Sequence, residues 1–193
     1  MPDGRKVSGS PRTTIHMDTR TLERSVADAR LDARFASLLE QYRAPIARLA
    51  AAYERHRADR EDLVQEIWFA VWRALPAFRG DCSERTFLYR IAHNRALTHG
   101  ARRRLDAADL DEALDVPDPH AATEHDAQAR EERERLLAAV RGLPPLHREV
   151  VVLTLEGLPQ REIAEVLGIT AVNVAVRLSR ARSELTRRLG ERP

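Results

Sequence analysis

The stretch "PQREIAEVLGITAVNVAVRL", Pro159 to Leu178, decides how the chain is read. Ile163, Ala164 and Leu167 fall on one face of a short helix, Gly168 follows at a turn, and Val174 and Leu178 lie on the inner face of the next helix. Two short helices held across a glycine turn by facing apolar side chains are what a helix-turn-helix requires. Thr170 fits the N-cap of the second helix, since its hydroxyl can accept a backbone N–H of the first turn. The outer face of that helix carries Ala171, Val172, Ala175, Val176, Ser179 and Arg180, while Arg177, Arg182, Arg187 and Arg188 can meet phosphates on either side. Any short helical pair with a glycine turn shares this pattern, so the charge of the chain's end has to carry a DNA-binding reading. It does: from Thr170 onward only Glu184 and Glu191 are acidic, against a run of arginines.

Upstream of this motif, helical signals appear in "REERERLLAAV" from Arg130 and "LPPLHREVVVLTLEGL" from Leu143, punctuated by Pro144, Pro145 and Gly157-Leu158-Pro159. Residues 129–193 therefore read as a four-helix domain. Before it the character reverses. Asp106, Asp109, Asp111, Glu112, Asp115, Asp118, Glu124 and Asp126 fall in a stretch without Lys or Arg, and with Pro117 and Pro119 they define an acidic flexible linker over 105–128. Residues 30–104 read as a three-helix domain. Phe35, Leu38, Leu39, Tyr42, Ile46, Leu49 and Tyr53 form one stripe, in which Pro45 is expected to kink the helix. Leu63, Ile67, Val71 and Leu75 form a second, ended by Pro76, and Phe87, Leu88 and Ile91 begin a third that runs into Arg102, Arg103 and Arg104. Residues 1–29, rich in Pro, Gly, Ser, Thr and Arg, read as a disordered tail, within which Met17 offers an alternative start. The fold class is all-α: two small helical domains joined by an acidic strap.

The 193 residues are 43% hydrophobic and 32% charged, enough for two modest cores. No apolar run approaches the ~18 residues that would span a bilayer, and the N-terminus has no secretory signal, which predicts a cytoplasmic protein without membrane insertion. A lone Cys82 excludes an internal disulfide. The net charge of +2 hides the clustering just described. Scattered carboxylates, no nucleophile–base pair and no glycine-rich phosphate loop argue against an enzyme, and His120 and His125 beside linker acids are weak metal spacing. No catalytic residue, metal or cofactor is expected.

Two blocks carry a family resemblance. "DREDLVQEIWFAVWRALPAFRG", from Asp59, followed by "TFLYRIAHNRAL", from Thr86, resembles region 2 of the extracytoplasmic-function sigma factors, small members of the bacterial sigma-70 family. "GLPPLHREVVVLTLEGLPQREIAEVLGI", from Gly142, with "VRLSRARSEL", from Val176, resembles their region 4. The likeness covers about residues 34 to 189 with both blocks in order. It implies a specificity subunit that binds core RNA polymerase, recognises −35 and −10 promoter elements, helps melt the −10 region, and is often restrained by an anti-sigma factor.

Carried onto these residues, the resemblance gives Asp62, Gln65, Glu66 and Trp72 as contacts to core polymerase. The surplus apolar surface of Leu63, Val64, Ile67, Trp68, Val71 and Trp72 leaves a face for such a partner, with Trp72 leaning outward and Trp68 open to core or partner. The loop Gly80, Asp81, Cys82 and Ser83 would capture a flipped −10 base, with Tyr89, Arg90, Asn94 and Arg95 behind it for stacking, amide donation and phosphate contact. The −35 element would meet Thr170, Ala175, Val176, Arg177, Ser179, Arg180 and Arg182. The family commonly has hydrogen-bonding side chains where Ala175 and Val176 stand, Trp where Phe87 stands and often Asp where Thr98 stands. Methyl groups can pack on the thymine C5-methyl, so base reading shifts toward apolar contact, with thymine expected opposite Val176. The acidic linker resembles the segment that threads the polymerase channels, although a merely soluble spacer explains its composition as well. The rival reading is a stand-alone helix-turn-helix regulator. It leaves the surplus apolar face and aromatic third helix of the N-terminal half without a role.

Overall fold

The computed structural model describes residues 19–106 and 124–190, with side chains from 26 to 102 and from 128 to 190. Among the described residues, seven helices run in the order α1 (Thr19–Tyr53), α2 (Arg57–Ala74), α3 (Glu84–Asp106), α4 (Glu124–Arg141), α5 (Pro145–Leu155), α6 (Gln160–Leu167) and α7 (Ala171–Gly190). A 3-10 turn, Leu75–Ala77, closes α2 with Pro76 inside it. Among the described residues all the regular structure is helical, as the 3.6-residue periodicity requires.

Three boundaries differ from the sequence reading. Helix α1 starts at Thr19, so residues 19–29, expected in the tail, are helical. Composition misled there: Ala27, Ala29 and Arg30 are strong helix formers, and Leu31 extends the apolar stripe one turn upstream of Phe35, packing on the core. Helix α3 continues to Asp106 and α4 starts at Glu124, so both ends of the expected 105–128 linker are helical. Residues 107–123, with most of the linker acids and His120, and residues 1–18, with Met17, lie outside the described residues.

The N-terminal three helices bury Leu38, Ile46, Leu49, Leu63, Ile67, Val71 and Leu88. Trp68 belongs to this core, 9% exposed and edge-on to Phe35 at 6.0 Å between centroids. The C-terminal helices bury Val140, Leu143, Val150, Leu153, Ile163, Val174, Leu178 and Ala181. Pro145 starts α5 at a position where its missing N–H costs nothing, and Gly168 ends α6 with φ +66°, a left-handed conformation that glycine reaches without strain. The residues of the two cores form one continuous apolar cluster, because α3 packs on α6, and α1 on α4 and α5.

Candidate nucleic-acid interface

Helix α7 is set up by its cap. The Thr170 hydroxyl accepts the Asn173 N–H at 3.2 Å, and the Thr170 carbonyl accepts Val174 N–H at 3.0 Å. This hydroxyl is engaged with the helix start, which fixes where the reading face points. With Val174, Leu178 and Ala181 buried, the opposite face presents Val172 (72% exposed), Val176 (44%), Ala175, Ser179, Arg180 and Arg182. Arg177 is set apart from them. Its Nη1 lies 3.9 Å from Glu149 Oε2 on α5, and the guanidinium is largely shielded. Glu149 is buried, which pushes its carboxyl up from the usual range, and the nearby Arg177 and Arg148 charges pull it back.

The N-terminal half presents a second set. Gly80 adopts φ +83° in the loop before α3. Asp81 and Ser83 are exposed and Cys82 is a half-buried free thiol. The Ser83 hydroxyl accepts Thr86 N–H at 3.0 Å and donates to the Thr86 hydroxyl at 2.9 Å, so Ser83 caps α3. Phe87 keeps an aromatic contact, 4.5 Å between ring centroids from Phe78. Thr98 donates to the Asn94 carbonyl at 2.8 Å within its own helix, and so reaches back along α3 where an Asp would project a charge. Asn94 and Arg95 are exposed on α3.

Tyr89 and Arg90 sit differently. Tyr89 is 1% exposed, edge-on to Tyr42 with centroids 6.3 Å apart, and burial, reinforced by the Glu156 carboxylate, raises its phenol well above the usual range. Its ring has no open face for a base in this arrangement. Arg90 is exposed but its Nη2 donates to the Glu165 carbonyl of α6 at 2.9 Å.

On α2, Asp62, Gln65 and Trp72 are exposed at helical spacing, whereas Glu66 is half-buried against α3, 3.6 Å from His99 Nδ1 and 3.7 Å from Arg102 Nη1. Phe69 stands among the exposed ones. It is 58% exposed and stacked on Trp72 (52%) with centroids 6.3 Å apart and planes 26° from parallel. The sequence reading passed over Phe69, although its i, i+3 spacing to Trp72 places both on one face. Beside Trp72, an open groove of about 350 Å³ is lined by Asp28, Leu31, Asp32, Arg73, Leu75 and Pro76, so the early turns of α1 extend this surface. Among the described residues, no group of three His, Cys, Asp or Glu side chains could hold a metal, and no helix is long and apolar enough to cross a membrane.

These surfaces are a helix-turn-helix with an outward cationic and methyl-bearing face, an exposed polar helix behind a capped loop, and a solvent-facing aromatic pair. They match known proteins in the same order. Residues 38–106 match Sigma-70 region 2 and residues 133–185 match Sigma-70, region 4. The chain is 30% identical over 161 residues to the RNA polymerase sigma factor NccH of Alcaligenes xylosoxydans xylosoxydans, covering 79% of this chain and 84% of that one. It is 32% identical over 161 residues to the ECF RNA polymerase sigma-E factor of Escherichia coli K12, covering 78% and 84%. Its fold resembles that of CnrH solved in complex with the cytosolic domain of CnrY, with TM-score 0.64 and 27% identity over 84% of this chain and 91% of that one. The chain belongs to the sigma-70 family, as an RNA polymerase sigma factor of the extracytoplasmic-function type.

Proposed function

We propose that this sigma factor seats on core RNA polymerase in the cytoplasm through the face of α2 that carries Asp62, Gln65, Phe69 and Trp72, with Glu66 bracing that face against α3. Once seated, it holds promoter DNA at two places. Helix α7 enters the major groove at the −35 element: Val172, Ala175 and Val176 pack on thymine methyls, and Ser179, Arg180 and Arg182 reach base edges and phosphates. Arg177 acts from behind, holding the buried Glu149 and so the angle of α7. Gly80, Asp81, Cys82 and Ser83 cradle a flipped −10 base, while Asn94 and Arg95 meet the displaced strand, joined by Tyr89 and Arg90 when these become accessible. An anti-sigma protein fits the same exposed faces, in line with CnrH having been solved with CnrY.

The observation that carries this reading is the exposed Phe69–Trp72 pair. Two stacked aromatic rings half in water cost free energy unless a partner covers them, and a regulator that bound DNA alone would need no such surface on this half. Mixing the purified chain with core polymerase and a supercoiled promoter library tests it. Promoter-specific transcripts are expected, whereas bound DNA without transcripts would favour the stand-alone regulator.

A further inference from the structure

The first two turns of α7 are short of hydrogen-bonding side chains. Val174, Leu178 and Ala181 are buried, so the line opposite them runs through Val172 and Val176, 72% and 44% exposed, and reaches Ser179 only on the third turn. Ala175 flanks that line on one side and Asn173 on the other, both exposed. Two polar groups nearby are engaged within the chain: the Thr170 hydroxyl accepts Asn173 N–H, and the Arg177 guanidinium turns to Glu149. The N-terminal turns of the second helix of such a motif are the ones that contact base edges. Valine in a helix also holds essentially one side-chain rotamer, so the place of its methyl groups is fixed before DNA arrives.

Apolar side chains at that place select by one feature of a pyrimidine. In the major groove, cytosine and thymine differ at C4, where thymine presents an oxygen acceptor and cytosine an amino donor, and at C5, where thymine alone carries a methyl group. Reading C4 takes a donor or an acceptor, and valine has neither. Reading C5 takes only a surface that removes the methyl from water. A cytosine methylated at C5 carries the same methyl at the same place and keeps its amino group and its pairing with guanine.

We infer that Val172 and Val176 form a site for the C5-methyl of a pyrimidine that is indifferent to the group at C4, so that 5-methylcytosine in the −35 element is held through the same contact as thymine. Promoter strength then follows the methylation of a −35 cytosine. Phosphate contacts from Arg180 and Arg182 are common to all these sequences and leave the methyl as the difference. The inference rests on the −35 role proposed above for α7.

Holoenzyme assembled from the full chain and core polymerase first selects promoters from a random library, and one recovered promoter is then remade with single-methyl changes. At each −35 pyrimidine, thymine is compared with uracil and cytosine with 5-methylcytosine, and equilibrium binding is read by competition. Burying one methyl group is worth roughly fourfold in affinity. At one or two adjacent positions, thymine is therefore expected to bind roughly fourfold tighter than uracil, and 5-methylcytosine roughly fourfold tighter than cytosine. The same pairs placed in the spacer between the elements are expected to bind alike, which separates contact from altered duplex stiffness. Val172→Ser with Val176→Ser is expected to bring both −35 ratios to about one. Should that variant lose helical circular dichroism or binding, Val176→Ala is read in its place, with a smaller fall in both ratios.

A gain from thymine without one from 5-methylcytosine means that C4 is read, and overturns the inference. Equal effects in the spacer, or ratios that survive the substitutions, overturn it too. Promoters recovered with ratios of one at every −35 position sink the inference alone and leave the valines to face a protein. Holoenzyme that recovers no promoter sinks the −35 reading, and the inference with it.

Discussion

Val176 and Arg177 are neighbours in sequence with opposite orientations. Val176 points outward from α7 and offers only methyl groups, so under the proposed −35 role, with thymine expected opposite Val176, Val176→Ser should change preference at one or two −35 positions. A promoter-selection experiment in which the two proteins recover the same −35 sequences would exclude that contact. Arg177 faces the buried Glu149, and removing it takes away the nearer of the two cations, Arg177 and Arg148, that offset the carboxylate's burial. Arg177→Ala is therefore expected to lower stability by about 1–3 kcal/mol in urea unfolding. Arg180→Ala, by contrast, should leave the unfolding midpoint in place and reduce the salt slope of DNA binding by about one. From spacing alone both arginines qualify as phosphate contacts. Only the position of α5 distinguishes them, and no local signal encodes it. His93 shows the same limit. It is buried on α3 and desolvation pushes its imidazole down to about 4, so the folded chain holds it neutral where the unfolded chain takes up a proton. Stability contributed this way is whole above the ordinary histidine value of 6.5 and falls as pH drops toward 4, by on the order of 3 kcal/mol. The difference in urea midpoint between wild type and His93→Gln should narrow or reverse across that window. A difference independent of pH would mean that His93 takes up its proton alike in the folded and the unfolded chain.

At the scale of elements, α2 and α6–α7 are the informative pieces. Helix α2 buries Leu63, Ile67, Trp68 and Val71, packs Val64 half-buried against the core, and turns Phe69 and Trp72 to solvent. The amphipathic period made the surplus visible in the sequence, and it left Trp68 undecided because a residue at the edge of a stripe can go either way until its neighbour is known. Phe35 is that neighbour, supplied by α1. Phe69→Ala and Trp72→Ala should each weaken association with core polymerase by roughly tenfold or more, since aromatic anchors dominate interfaces. Their effect on the melting temperature should be slight, because little of either ring is packed. Equal losses in both measurements would move the pair into the core. The turn and cap of the α6–α7 motif, Gly168 and Thr170, were legible because both signals are local, whereas Val166, buried beside Ile163, was passed over.

At the scale of the whole molecule, the arginines change meaning. Arg48, Arg85, Arg90, Arg141 and Arg148 look like a diffuse positive charge in the sequence, and in the fold they join the halves. Arg148 lies over the Tyr53 ring of α1 at 5.7 Å, and the others hold carbonyls or the Glu156 carboxylate. Contacts of this kind are partly screened and yield to stronger anions, so the polar part of a joint that also packs α3 on α6, and α1 on α4 and α5, can open without unfolding either half. Full-length chain in rising salt should therefore expand in scattering before its helical circular dichroism falls. Coincident transitions would mean that the two halves unfold as one unit.

The sequence by itself determined the helices, their apolar faces, the turn and cap of the reading motif, and the order of the two sigma regions. Each is set by periodicity and by residues within one turn of one another. Tertiary structure alone decided which exposed-looking residues are covered or engaged: Tyr89 packed against α1, Arg177 paired with α5, and Arg90 exposed but hydrogen-bonded to α6. The physical reason is range. Backbone preference and amphipathic spacing act over a few residues, whereas burial and charge pairing depend on chain segments separated by 28 positions at Arg177 and Glu149 and by 75 at Arg90 and Glu165.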